Sequence, residues 1–259
     1  MYFYEEYESA TQKNRLEVEK ICEERGIRLS KYKLTFSNPV TSWKVICNTT
    51  SSLDIVGNKI MVDITTTPRE AIWTIFNFLE KPGVSISYIY HVPKGYNKEW
   101  LSRDPGKPRI VYKLGGLTKL GVPIKLLILS GYDIDRVKQM ITFFEPKEVF
   151  IGNQQPINSE ESLEYYKKTK KEFEEYTEVK LFDIDAYASD HGLGIIEQKI
   201  GTLLDNSNFI LTSLGPKLSA IALYRFHKAH PETALAYAPS KEFNPKYSFG
   251  IAETKEGIL

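Results

Sequence analysis

Two stretches of this chain set hydroxyls, a proline and a cation in the same order. Thr65, Thr66 and Thr67 precede Pro68 and Arg69; Ser213, Leu214 and Gly215 precede Pro216 and Lys217. A proline that opens a helix costs nothing, because its missing N–H would be unpaired there anyway, and Thr67 is placed to act as an N-cap. The cations are the informative part. A positive side chain in a first helical turn opposes the positive end of the helix, at a cost of a few tenths of a kcal/mol or more. A phosphate or carboxylate would offset that cost, since free N–H groups, hydroxyls and the cation converge on one point. Alternatively, Arg69 pairs with Glu70 or Asp63 and Lys217 points to solvent.

Other groups have chemistry to offer. Ser130-Gly131-Tyr132-Asp133 and Arg136 follow an apolar run and open a helix; Asp133 reads as its N-cap and Arg136 as a second anion contact. Asp183, Asp185, Asp190 and His191 have the types needed for a hard metal or for acid/base work, although Asp-x-Asp at a strand end is common and no metal is assigned. The stretch 93–108, preceded by His91, carries Tyr96, Trp100 and Arg103, with Arg109 just beyond. Such an aromatic and basic mixture stacks a base and holds a phosphate, or packs as a lid. Phe243, Asn244, Lys246 and Tyr247 occupy the corresponding place after the second turn. The chain has no Gly-x-Gly-x-x-Gly, Walker loop, Gly-x-Ser-x-Gly or His-Glu-x-x-His, which disfavours dinucleotide oxidoreductases, P-loop NTPases, serine hydrolases and zincins. No cofactor is expected.

The elements that position these residues alternate between strand and helix. Residues 60–66 form a buried strand, 69–80 an amphipathic helix and 85–92 a second strand; 109–114, 124–130, 148–151 and 179–183 read as further strands. Helices are expected at 9–25, with Leu16, Val18, Ile21 and Cys22 inward, and at 133–144, 159–176 and 193–204. Cys47 is expected near a strand. The whole predicts an α/β fold, Rossmann-like, with a mainly parallel sheet and helices on both faces. The repeated pattern predicts two duplicated halves, 1–155 and 156–259, joined within 153–159, unless the likeness is convergent patterning in one continuous domain. Duplication would set two equivalent strand ends face to face around a shared pocket.

At 259 residues, 42% hydrophobic and 26% charged, the composition is that of a globular chain. Thirty-four basic and 33 acidic residues leave a net charge of +1, so no global field attracts nucleic acid, and any anion site must be local. Two isolated cysteines, an acidic N-terminus and no long apolar run predict a cytoplasmic protein without membrane contact.

The run Asp63-Ile64-Thr65-Thr66-Thr67-Pro68-Arg69-Glu70 resembles the strand-end signature of CARF domains, the CRISPR-associated Rossmann-fold sensors. Related SAVED domains combine two CARF-like units in one chain, to which the two halves here are similar. The resemblance implies that the Thr-rich turn and Arg69 contact a nucleotide second messenger, that Asp63 shapes the strand end, and that the setting is antiviral defence. The expected function is a ligand-binding sensor or adaptor for a nucleotide or other phosphorylated small molecule. Its expected contacts are Asp63, Thr65, Thr66, Thr67, Arg69, His91, Tyr96, Arg103, Ser130, Arg136, Ser213, Gly215, Lys217 and Asn244. Two alternatives stand beside it: a phosphoesterase or nucleotide-processing enzyme, and a non-catalytic subunit of a nucleic-acid or defence complex. Turnover is left open. A homodimer and a protein partner are both compatible with the sequence.

Overall fold

The computed structural model describes residues 1–53, 57–97, 100, 102–131, 133–154, 160–244 and 246–259. Tyr132 and most of the expected boundary, at 155–159, lie outside them. The N-terminal strand β1 (Tyr2–Tyr4) leads through a short 3-10 turn into α1 (Glu8–Glu24), and the chain returns as β2 (Tyr32–Leu34), parallel to β1. Leu16, Val18 and Ile21 of α1 are exposed, contrary to expectation, and the helix buries no residue fully. The reason lies in the spacing: at 100° per residue Leu16 and Val18 point to different sides, so these residues make no single apolar stripe. Polar contacts hold the helix instead, with Arg15 over the Phe3 ring, Glu8 paired to Lys33 and Glu19 paired to Lys31.

Asn38 then caps α2 (Pro39–Ser51), its side chain accepting from the Thr41 N–H at 3.1 Å. Cys47 therefore lies in a helix rather than near a strand. This helix packs on α3 (Arg69–Leu79), which connects β3 (Ile60–Asp63) to β4 (Ile86–Val92). β3 and β4 are parallel, and β15 (Glu253–Ile258), near the C-terminus, adds antiparallel to the other side of β4. Two short strands follow β4: β5 (Gly95–Tyr96) and β6 (Ser102–Pro105).

The remainder builds a six-stranded sheet. Its strands are β7 (Arg109–Ile110), β8 (Ile124–Leu129), β9 (Glu148–Gln154), β10 (Glu178–Ile184), β11 (Asn208–Ser213) and β12 (Ala234–Tyr237). They lie in the order β10-β9-β8-β11-β12-β7, all parallel except the short antiparallel β7, so the molecule is α/β with a mostly parallel sheet. The expected strand 109–114 is confined to two residues, because Val111 and Leu114 close a turn. The helices α4 (Ile134–Phe144), α5 (Glu160–Phe173), α6 (Leu193–Ile200) and α7 (Lys217–Ala229) alternate with these strands.

Alternation along β8 shows how both sheet faces are covered. Leu126 and Ile128 pack in one apolar cluster with Val137, Met140 and Ile141 of α4, while Leu127 and Leu129 join α3, α6 and α7 in another. Successive strand side chains point to opposite faces, so one buried run serves two helical layers. Strands on both sides of 155–159 pair with each other, β9 with β10, in this single sheet.

The order of strands reverses between β8 and β11: from β8 the chain steps outward through β9 to β10, then returns to the other side of β8. In open α/β sheets such a reversal leaves a crevice at the carboxyl ends of the two central strands, where ligands bind. Here those ends are Leu129 and Ser213. The last two strands, β13 (Ser240–Phe243) and β14 (Ser248–Phe249), pair antiparallel with β6 and β5. No helix among the described residues is long and apolar enough to cross a membrane.

Candidate functional site

The two turns leave different sheets, Asp63 ending β3 and Ser213 ending β11, yet they enter their helices in the same way. Pro68 has φ −59° and ψ 145°, and Pro216 has φ −55° and ψ 150°. Both prolines occupy the N-cap, with extended backbone, one position earlier than expected; Thr67 is consequently not the cap. Its hydroxyl donates to the Asp63 carbonyl at 3.0 Å, and the Asp63 carboxylate accepts from the Thr65 N–H at 2.8 Å. The Thr65 hydroxyl accepts from the His91 N–H at 3.0 Å, which ties the turn to β4. Thr66 is exposed.

Arg69 and Lys217 are thus the first residues of α3 and α7, and each reaches across to the other's turn. The Arg69 guanidinium donates to Ser213 Oγ at 3.0 Å and to the Gly215 carbonyl. Lys217 Nζ donates to the Thr67 carbonyl. Ser213 Oγ also shares a 2.6 Å hydrogen bond with Ser219 Oγ, which orients it toward Arg69. Behind the turns α3 packs on α7, and the fully buried Trp73 donates from Nε1 to the Ala220 carbonyl at 2.8 Å.

A third cation completes the group. Arg136, in the first turn of α4, is 3% exposed; its Nε meets the Asp133 carboxylate at 2.8 Å and its other arm reaches the Ala238 carbonyl at 3.1 Å. Asp133 caps α4 by accepting from the Arg136 N–H and also accepts from the Ser102 hydroxyl, so it joins the helix to β6. Backbones meet closely here: a Cβ on Gly215 would stand 2.4 Å from the Ser130 carbonyl, and one on Gly131 would stand 2.7 Å from that of Leu214. The small residues therefore let the two central strand ends touch. Ser130 itself is turned inward, its Oγ donating to the Gly152 carbonyl at 2.6 Å.

The electrostatics follow from this crowding. Burial, then the charge of Arg136, lowers the Arg69 guanidinium to about 10. Burial pushes the Lys217 ammonium well below its ordinary range; Arg69 and Arg136 push in the same direction and Asp63 opposes them. Both side chains retain partly accessible surface. Neither forms a salt bridge among the described residues, and Glu70, next to Arg69, is committed to Arg109 at 2.6 and 2.9 Å. The compensation for a cation at each helix start thus comes from carbonyls of the opposite turn, while the positive charge itself stays unneutralised.

Tyrosines surround this charge. Tyr237, Tyr247 and Tyr90 lie within electrostatic reach of Arg69, and Tyr90 shares a side-chain hydrogen bond with Tyr96. The rings of Tyr96 and Tyr247 stack at 6.2 Å between centroids, set by the pairing of β5 with β14. The stretches that follow β4 and β12 therefore pair with each other, through β5 with β14 and through β6 with β13.

Other expected contacts have structural partners. Arg103 is exposed and stacks over Trp100 at 4.4 Å. His91 Nδ1 meets the Thr254 hydroxyl at 2.8 Å, and buried Asn244 donates to the Trp100 carbonyl at 3.1 Å. Asp190 accepts from the Gly192 and Gly194 N–H groups, and His191 is buried between the Ala186 carbonyl and the Tyr88 hydroxyl. Residues that sequence reasoning missed are Tyr90, Tyr237 and Ser219; Tyr237 sits six residues before Phe243, and its place at the end of a buried strand was the available signal. A cleft of ≈ 830 Å³ lies elsewhere, against β10, and includes none of these residues. No protein-family model matches the chain, and no curated protein matches it either.

Proposed function

We propose that the chain is a ligand-binding sensor or adaptor whose ligand is a nucleotide or another phosphorylated small molecule, held where β8 and β11 end. The meeting of Arg69, Lys217 and Arg136 at the strand reversal carries this reading. Three cations, two without a carboxylate partner among the described residues, raise the free energy of the site, and an anion would lower it. Phosphate fits better than a lone carboxylate, because it offers several strong acceptors to cations that approach from both turns.

The central reversal in the strand order supports a Rossmann-like reading, in which that reversal is the binding crevice. The equivalent backbone at Pro68 and Pro216, with the reciprocal reach of the following cations, supports descent of the two turns from one duplicated CARF-like unit. On that reading one pocket uses both halves, and the Tyr96 and Tyr247 rings form its aromatic wall. A panel of inorganic phosphate, mononucleotides, dinucleotides and cyclic oligonucleotides tests the proposal by thermal shift and calorimetry. Binding without consumption of the ligand supports it; no response from any phosphorylated member removes it.

A further inference from the structure

We propose that Lys217 is a nucleophilic amine that condenses with the carbonyl group of a small anionic aldehyde or ketone, whose phosphate or carboxylate is held by Arg69. The inference rests on the anion reading of the same site and extends it from electrostatic to covalent capture.

The geometry supplies each requirement. Lys217 opens α7, where the helix's own positive end disfavours an ammonium. Arg69 and Arg136 are close enough for their charges to act on it, and Asp63, which opposes them, has a carboxylate that already accepts from the Thr65 N–H. Lysines set beside other cations or away from water are the ones that work as free amines. The hydrogen bond from Nζ goes to a carbonyl, that of Thr67, and no carboxylate pairs with Lys217 among the described residues. A neutral amine can keep that bond with one N–H and still present its lone pair. As a residue Lys217 is half-buried.

The step balances without a further reagent. The Nζ lone pair attacks the carbonyl carbon, a C–N bond forms, and the carbonyl oxygen becomes a hydroxyl. Loss of that hydroxyl, which already carries one proton from nitrogen, together with the remaining N–H proton gives an imine and one water. A proton from solvent on the imine nitrogen restores the single N–H that the Thr67 carbonyl accepts. Arg69 keeps its proton throughout and holds the substrate's anionic group.

Pyridoxal 5′-phosphate, a phosphorylated aldehyde, is a suitable probe. The full chain is treated with a limiting amount, reduced with borohydride and mapped by peptide mass spectrometry; an uncharged aldehyde and an excess of inorganic phosphate serve as comparisons, and phosphate binding is measured separately by calorimetry. A lowered pKa raises the neutral fraction of the amine, and a held phosphate raises the local concentration of the aldehyde, so Lys217 is expected to react at least about tenfold faster than exposed lysines such as Lys13. Phosphate should suppress that reaction, and the uncharged aldehyde should keep only the smaller preference that the free amine alone confers. Modification of Lys217 no faster than of exposed lysines overturns the inference, and calorimetry then shows whether the anion reading survives on its own. Fast modification that phosphate leaves unchanged also overturns it, since the anionic group would then play no part.

Discussion

Arg69 and Lys217 exchange turns: each opens its own helix and donates to the backbone that leads into the other's, at Gly215 and Thr67. Two segments separated by most of the chain are thereby joined at the end of the central strands. The same exchange concentrates positive charge that no described carboxylate neutralises on either side chain.

Removing either cation should weaken phosphate binding. Arg69→Ala and Lys217→Met are each expected to cost about 1.5–3 kcal/mol, or roughly 10- to 150-fold in affinity. Calorimetric titration of the two variants and the double variant checks this. Because both groups serve one anion, the double loss should fall short of the summed single losses.

Lys217→Met should separate stability from binding. An ammonium whose pKa is lowered by folding costs stability at neutral pH, and that cost vanishes only above its ordinary value of 10.5. The half-buried Thr67 carbonyl can turn to water when the donor is lost. Without phosphate, the variant should therefore melt at or above the wild-type temperature; at the same phosphate concentration, the wild type should gain more stability than the variant.

Acid should destabilise the fold through two buried histidines. Burial holds His191 and His227 below their ordinary 6.5, against the opposing pull of their hydrogen bonds. The folded chain then binds fewer protons than the unfolded chain, so their contribution is complete above 6.5 and is lost as pH falls from there through the lowered folded values. Around His191, Arg225 lowers the value further and Asp190 raises it. Denaturant melts at stepped pH should show stability falling below 6.5, with a shallower fall in a His191→Gln, His227→Gln chain.

Packing between the turns can be tested at two points. Trp73→Ala, at the contact of α3 with α7, should cost about 3–5 kcal/mol in denaturant unfolding. Gly215→Ala would place a methyl against the Ser130 carbonyl and should cost about 1–3 kcal/mol while weakening phosphate binding, because the strand ends must part.

Much of the scaffold was legible where physics is local. Apolar runs at β8, β9 and β11 and the stripe of α3 announce themselves, and the repeat of hydroxyl, proline and cation marked both turns. The sequence could not show which strands neighbour which, so the reversal between β8 and β11 and the cross-pairing of β5 with β14 emerged only in the fold. α2 was missed because Thr49 and Thr50 interrupt its apolar pattern, although both hydroxyls bond back to the helix carbonyls. β15 was missed because its charged, largely exposed residues carry no core signal. The carbonyls that Arg69 and Lys217 meet, at Gly215 and Thr67, were illegible for a simpler reason: backbone carbonyls have no sequence identity.

The most direct measurement is a crystal structure grown with selenate, an oxyanion located by its anomalous scattering. The account predicts a selenate within hydrogen-bond reach of both Arg69 and Lys217, with occupancy reduced when phosphate competes. Ordered selenate found elsewhere, with Arg69 still bound to the Gly215 carbonyl and Lys217 to that of Thr67, would contradict it.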